Sequence, residues 1–322
     1  MKVLLIQPQS DYFAGSHGGK YPPFGLWLIS SVLKKNGISV QILDLNMQQL
    51  SLLEITGRAK DCDLIGVNCN LDNFKTTVEI VKAVRKANPN AKIIGGGPGV
   101  SVIPEFYLDN LPFDQIVVGE GEEIILQIIA NECRNKIVRS QKPVDLFCPD
   151  YSLIQIEDYW QEPVYGLEYP SASVFASRGC PFSCNFCSFF YLGNYRAKEI
   201  EAIEEEVMIV KEKGVKSLVF LDATFGIRFE HTMEVCSMLN KYQLEWSCMT
   251  RVDVIGGQKL EAMSKAGCKR MYLGLESFNQ TILESGGKKT TVEKNLEAVQ
   301  KVKSFGITPC AYLLFGLPGD TN

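Results

Sequence analysis

Histidine is nearly missing from this 322-residue chain: only His17 and His231 occur. That scarcity counts against a metal centre built mainly on imidazole ligands. Long apolar runs are also missing. No stretch reaches the roughly 18 residues of a membrane-spanning helix, so no membrane is expected as a partner. Basic charge is not in excess, with 33 Lys and Arg against 37 Asp and Glu and a net charge of −4. An acidic balance of this kind argues against nucleic acid as a partner. Met1–Gln7 has no signal-peptide cleavage site and runs straight into patterned structure, so a cytoplasmic location is expected. What is present is globular: 46% hydrophobic and 22% charged residues exclude disorder, collagen and coiled coil as the whole answer. The length suggests two domains with a self-sufficient core.

Cysteine is the exception, with 11 residues. An odd count at irregular spacing is not a disulfide framework. Eight of them (Cys62, Cys69, Cys133, Cys148, Cys236, Cys248, Cys268 and Cys310) stand singly and read as small buried hydrophobes. The other three are clustered.

Short apolar runs alternate with helical periodicity along residues 1–140. Strands are expected at Lys2–Ile6, Val40–Leu43, Leu64–Val67, Lys92–Ile94 and Gln115–Val118. Helices are expected at Phe24–Asn36, around Phe74, Val78 and Val81, and from Glu123 to about Asn135. Apolar strands alternating with helices imply a parallel sheet covered on both faces, a doubly wound α/β domain. Residues 141–170 hold Pro143, Pro149, Pro163 and Pro170 with Tyr151, Tyr159, Trp160 and Tyr165, and read as an aromatic linker packed at a domain junction. From 171 to 322 the alternation resumes. Strands are expected at Ser173–Ala176, Ser217–Leu221, Glu245–Thr250, Arg270–Leu275 and Pro309–Phe315. The stripes Ile203, Val207, Val210 and Val292, Leu296, Val299, Val302 mark helices ended by Gly214 and Gly306. The spacing suits a β/α barrel. Five strands leave an open edge, so the expected barrel is partial and C-terminally incomplete, or completed by a partner.

The first strand of this second domain runs into Arg178-Gly179-Cys180-Pro181-Phe182-Ser183-Cys184-Asn185-Phe186-Cys187, a Cys-x3-Cys-x2-Cys spacing. Zinc normally takes four protein ligands in Cys-x2-Cys pairs, and no second pair is present. Three thiolates suit a [4Fe–4S] cluster with one iron left without a protein ligand. An open coordination site of this kind can bind a substrate or cosubstrate. The loop also follows a strand on the face where barrel active sites assemble. A structural zinc knuckle and unligated loop cysteines are the plainer readings. The acidic run Glu204-Glu205-Glu206, and with it Lys211 and Lys213, is expected to be a solvated face.

The triplet Cys180, Cys184 and Cys187, with Phe186 before the last cysteine, resembles the radical S-adenosylmethionine superfamily. The resemblance implies that the unique iron chelates S-adenosylmethionine and that the reduced cluster cleaves it to a deoxyadenosyl radical, which takes hydrogen from substrate. It further implies that Phe186, Asp222, Thr224, Arg251, Asp253, Glu276, Ser277 and Gly316, at or after successive strand ends, line the S-adenosylmethionine site. Ala223 departs from the Asp-Asp-x-Phe form usual in the family at Asp222-Ala223-Thr224-Phe225.

Residues 1–140 lack Gly-x-Gly-x-x-Gly after the first strand, which disfavours nicotinamide binding. Tyr21 to Gly25, Asp44, Gly95–Gly97 and Gly119–Glu122 resemble the cobalamin-binding domain that precedes the radical barrel in one large subfamily. The resemblance implies a Rossmann-like fold with cobalamin near Gly25, Asn68, Gly95, Gly96, Gly97, Gly119 and Glu120. The loop Ala14–Gly19 lacks the Asp-x-His-x-x-Gly spacing, so His17 is not expected to ligate cobalt. The function implied is methylation of an unactivated carbon, with both cofactors facing one cavity. The substrate would be a small molecule or peptide and the reductant a ferredoxin or flavodoxin. A radical cyclase or rearrangement enzyme is the first alternative. A methylthiotransferase would need a second cysteine triplet, which is not seen. The remaining alternatives are a non-catalytic remnant and a cobalamin-binding sensor.

Overall fold

The computed structural model describes residues 1–10, 21–140, 145–160, 167–188 and 193–320. The Ala14–Gly19 loop with His17, and Pro143, Pro163 and Tyr165 of the proline-rich segment, lie outside the described residues. The chain divides into two units, Met1–Val144 with Pro149–Tyr159, and Asp145–Cys148 with Trp160–Asn322.

In the first unit β1 (Lys2–Gln7), α1 (Phe24–Lys35), β2 (Ser39–Asp44), α2 (Leu52–Ala59), β3 (Leu64–Asn68) and α3 (Phe74–Ala87) come first. β4 (Lys92–Gly96), α4 (Pro98–Val102), α5 (Pro104–Asn110), β5 (Gln115–Val118), α6 (Ile124–Ile129) and β6 (Ile137–Arg139) follow. The sheet order is β2-β1-β3-β4-β5-β6, and every pairing is parallel. Alternate strand residues face opposite layers. Leu4, Ile6, Ile65, Val67, Ile93 and Ile116 pack with Ile55, Ile80, Val81, Val84 and Tyr107. Val3, Leu5, Leu64, Ile94 and Val117 pack with Leu26, Leu33, Ile124, Ile125 and Ile128 on the other side. Both faces are therefore covered, as the uniformly apolar strands require. The doubly wound expectation holds.

Four helices differ from the sequence reading, α2, α4 and α5 being additional to it and α6 shorter than it. α2 was not expected, although Ser51 and Glu54 form a complete capping box at its start. α6 stops at Ile129 rather than near Asn135, because Asn131 takes a left-handed backbone (φ 57°) and turns the chain.

Pro149–Tyr159 of the proline-rich segment belongs to the first unit. The Trp27 indole donates to the Asp150 carbonyl at 2.9 Å and meets Tyr151 edge-on at 4.7 Å. The Tyr159 hydroxyl donates to Asp44 Oδ2 at 3.0 Å, and burial raises the Asp44 carboxyl above its ordinary range.

The second unit holds β7 (Ser171–Val174), β8 (Ser177–Arg178), β9 (Arg196–Ala197), α7 (Ile200–Glu212), β10 (Ser217–Phe220) and α8 (Phe229–Asn240). After them come β11 (Glu245–Arg251), α9 (Gly257–Lys265), β12 (Cys268–Glu276), α10 (Gln280–Ser285), α11 (Val292–Ser304) and β13 (Thr308–Leu313). Five parallel strands lie in the order β13-β12-β11-β10-β7, sequential as in a β/α barrel wall. Phe220, Phe225 and Trp246 pack ring to ring at 5.1–5.4 Å in the core. No helix among the described residues is long and apolar enough to cross a membrane.

Two expectations are corrected here. The first strand ends at Val174, not Ala176. The Ala176 amide and the Ser177 hydroxyl donate to buried Asp222, which draws the chain off the sheet and into the small antiparallel pair β8–β9. Glu206 is not solvated. It is 4% exposed and ion-paired to equally buried Lys198. Burial pushes the Glu206 carboxyl up to about 7 against the pull of the ammonium. Glu204 does match the solvated reading in part: it reaches Lys241 and the Tyr242 hydroxyl at the surface.

Candidate functional site

In a parallel sheet all strand carboxyl ends lie at one edge. In the second unit that edge carries the cysteine loop after β7 and β8, Asp222 to Phe225 after β10, and Arg251 ending β11. Glu276 ends β12, and Gly316 follows β13. The sequence-predicted residues are thus brought to one edge, where β/α folds place their chemistry.

The loop is shaped by backbone constraints. Gly179 has φ 83°, and a Cβ there would fall 2.3 Å from the Asn194 carbonyl oxygen, so only glycine fits. The Cys180 amide donates to the Gly193 carbonyl, and the Cys187 amide to the Cys184 carbonyl at 3.1 Å. Asn185 docks the loop on the turn after α10. Its amide donates to the Gly286 carbonyl at 2.9 Å and its side chain to the Ser285 carbonyl at 3.0 Å. Phe186 lies close against Gly286, where a Cβ would meet its ring at 3.2 Å.

Cys180, Cys184 and Cys187 are each half-buried and none is in a disulfide. Cys180 Sγ lies 3.6 Å from Thr224 Oγ1. Cys184 Sγ accepts from Arg251 Nη1 at 3.1 Å. Among the described residues no three His, Cys, Asp or Glu side chains close around a point as the ligands of a single ion would. A four-iron cube makes a different demand, because each thiolate binds its own corner. Three half-buried thiols on one braced loop fit that donor set.

Arg251 is fixed on several sides. Nε and Nη2 donate to Asp253 Oδ1 and Oδ2 at 2.9 and 2.8 Å, and Nη2 also donates to the Lys288 carbonyl at 2.8 Å. The guanidinium stacks on Phe182 at 3.9 Å. Glu276 has φ 63°, a costly backbone for a non-glycine residue, and its buried carboxylate pairs with Lys288 Nζ at 2.6 Å. Gly274 makes room for that pair: a Cβ there would fall 2.6 Å from Glu276 Oε1 and 2.8 Å from Lys288 Nζ. A small cleft lined by Phe182, Cys184, Arg251, Gly287, Lys288 and Lys289 opens beside the loop. Its cations suit a carboxylate-bearing ligand.

Asp222 points elsewhere. It is buried, accepts from Ala176 N and Ser177 Oγ, and its carboxyl is pushed up to about 6 by burial. Ser277 accepts from the Asn279 amide through Oγ at 3.1 Å. The Gly316 amide is tied to Asp320 Oδ2 at 2.9 Å. Sequence reasoning missed Lys288 and Asn185. The Gly286-Gly287-Lys288-Lys289 turn was the available signal for both.

In the first unit β1 lies between β2 and β3, so the chain reverses direction of winding at the β1/β3 carboxyl ends, the expected ligand crevice of an open sheet. Gln7 Oε1 and Asn68 Nδ2 meet there at 2.6 Å. Gly97 has φ 97°, and a Cβ would fall 1.9 Å from Asn68 Oδ1. Gly95 is packed under Ile116 and Phe113, whereas Gly96 and Gly25 would present a Cβ to open space. The Gly119 amide is held by Ser101 Oγ at 3.1 Å, and Glu120 is buried. A backbone-lined crevice with open glycines at its lip fits a large flat ligand.

Comparison with known proteins follows the same division. Residues 174–322 match the family model for the radical SAM superfamily, and residues 12–129 match the model for the B12 binding domain. An uncharacterized methyltransferase of Pyrococcus horikoshii is 28% identical over 355 residues, covering 100% of this chain and 75% of that protein. The anaerobic magnesium-protoporphyrin IX monomethyl ester cyclase of Rubrivivax gelatinosus is 26% identical, over 100% of this chain and 63% of its own length. Among solved structures, the radical S-adenosylmethionine methyltransferase TsrM of Kitasatospora setae matches with a TM-score of 0.77 at 18% identity. The match covers 99% of this chain and 68% of that one, which establishes likeness of fold.

Proposed function

We propose, from the premise that this chain belongs to the radical S-adenosylmethionine superfamily and carries a B12-binding domain ahead of the radical module, that it methylates an unactivated carbon of a small molecule or peptide. The family's cofactors are a [4Fe–4S] cluster and S-adenosylmethionine in the second unit and cobalamin in the first. The observation that carries the reading is the braced loop with three half-buried thiols at the edge where Arg251, Glu276 and Lys288 also converge.

When bound, these groups supply a deoxyadenosyl radical, from reductive cleavage of S-adenosylmethionine, and a corrinoid-borne methyl group. The chain's own residues hold and orient them. Cys180, Cys184 and Cys187 hold three irons. Arg251, clamped by Asp253, and Lys288 present positive charge in the cleft beside Cys184. Glu276 offers a carboxylate to ribose hydroxyls or an ammonium, while Thr224 packs against Cys180. Asp222 serves as a positioning residue for the loop. Gly96, Gly97 and Asn68 shape the crevice for the corrinoid. The electron comes from a ferredoxin or flavodoxin. The cyclase of Rubrivivax gelatinosus among the relatives favours a second reading, radical ring formation without methyl transfer.

The test is anaerobic reconstitution with iron, sulfide and hydroxocobalamin. The expected result is one [4Fe–4S] cube per chain, a corrinoid spectrum that survives gel filtration, and deoxyadenosine release under dithionite. Cys184→Ala should abolish cube and release together. Cleavage unchanged by that substitution would refute the ligand assignment, and absence of bound corrinoid would refute methylation.

A further inference from the structure

A guanidinium in hydrogen-bond contact with one thiol of the triplet needs an explanation beyond ligand binding. Arg251 Nη1 lies 3.1 Å from Cys184 Sγ. The rest of the head is immobilised: Nε and one Nη2 proton are taken by Asp253, the other Nη2 proton by the Lys288 carbonyl, and one face by Phe182. Arg251 is 5% exposed. Phe182 belongs to the same loop as Cys184, so the cation and the sulfur are registered to each other by a residue two positions away. Asp253 takes the edge formed by Nε and Nη2, which leaves Nη1 to the sulfur.

We propose that Arg251 donates a charge-assisted N–H···S hydrogen bond to the Cys184 thiolate of the loaded cluster and so sets a less negative reduction potential than the bare thiolate triplet would have. The inference rests on Cys184 being a cluster ligand. Its physics is direct. On reduction the cube accepts one electron, here from a low-potential one-electron donor, and its negative charge rises by one. A fixed cation touching a ligand sulfur stabilises the reduced form more than the oxidised form. The effect is strengthened by partial burial, where charges are poorly screened. Hydrogen bonds to cluster sulfurs act in the same direction. Asp253 offsets part of the charge but stands behind the guanidinium, farther from the sulfur than Nη1. Arginine is needed rather than lysine, because only the planar fork can serve Asp253, the Lys288 carbonyl and Cys184 at once.

The measurement is an EPR-monitored redox titration of the reconstituted full chain with titanium(III) citrate, without S-adenosylmethionine. Arg251→Gln should load the same iron but titrate at a more negative potential, with Arg251→Lys in between. An unchanged potential overturns the proposal. If it comes with weaker S-adenosylmethionine binding, Arg251 is a carboxylate clamp instead. A second readout needs no variant: in wild-type protein grown with heavy-nitrogen-labelled arginine, the reduced cluster should show a hyperfine coupling to guanidinium nitrogen. Its absence overturns the proposal even where the variants fail to fold. Cys184→Ala separates the two levels. A cube retained in full there refutes the ligand reading itself, whereas a cube lost there with no shift in Arg251→Gln refutes only the role of Arg251.

Discussion

Gly97→Ala offers a quantitative test of the crevice in the first unit. Gly97 sits at φ 97° and ψ −176°, a region that L residues essentially do not enter. Forcing alanine there costs roughly 1–3 kcal/mol in backbone strain. The new methyl would also land 1.9 Å from Asn68 Oδ1. Asn68 must then swing away and give up its 2.6 Å bond to Gln7, worth about 1 kcal/mol. The sum is about 2–4 kcal/mol. Amide hydrogen exchange read by mass spectrometry on β3 and β4 measures this locally, apart from the second unit. The cost should fall by about 1 kcal/mol in an Asn68→Ala background, which removes the clash and the bond but leaves the strain. Protection within about 0.5 kcal/mol of wild type, below the strain range alone, would refute the account, as would an equal cost in both backgrounds.

Lys198→Met strands the Glu206 carboxylate in a buried site and should destabilise the second unit by about 3–5 kcal/mol, read by calorimetry; the double variant Lys198→Met/Glu206→Leu should recover most of the loss. Asp222, with its carboxyl near 6 in the fold against 3.8 ordinarily, binds its proton more tightly folded than unfolded. Its contribution is therefore complete below about pH 4 and lost as pH rises through about 6, on the order of 3 kcal/mol. Glu206 has the same sign toward about pH 7. Asp222→Asn should make the fall in melting temperature from pH 4 to pH 6 shallower, and an unchanged slope would rule out Asp222 as its source.

Much of the architecture is legible in local patterning. Gln115–Val118 is apolar on both faces and flanked by glycine and aspartate, and its bounds are those observed for β5. Lys2–Ile6 and Leu64–Val67 succeed for the same reason. The three-residue edge strand Ile137–Arg139 and the helix Leu52–Ala59, where Leu53 is 82% exposed, carry too little periodicity to be found that way. The cysteine spacing is legible because all three cysteines come from one loop. Its surroundings are not. Arg251 meets Cys184 across 67 positions, and Lys288 meets Glu276 across 12. Asp222 reads as a site residue from its place after a strand, yet its partners are Ala176 and Ser177, chosen by tertiary packing. Glu206 misleads for a related reason: its neutralising partner, Lys198, lies ahead of the helix rather than on it.

The small β8–β9 pair acts as a clasp at the neck of the cysteine loop. Ser177 faces Ala197, Arg178 faces Arg196, and the Lys198 amide closes on the Ala176 carbonyl at 2.9 Å, with Asp222 gripping the same neck from within. None of these bonds involves sulfur. The neck of the loop is thus closed by backbone, hydroxyl and carboxylate partners alone, so its closure draws on none of the three thiols.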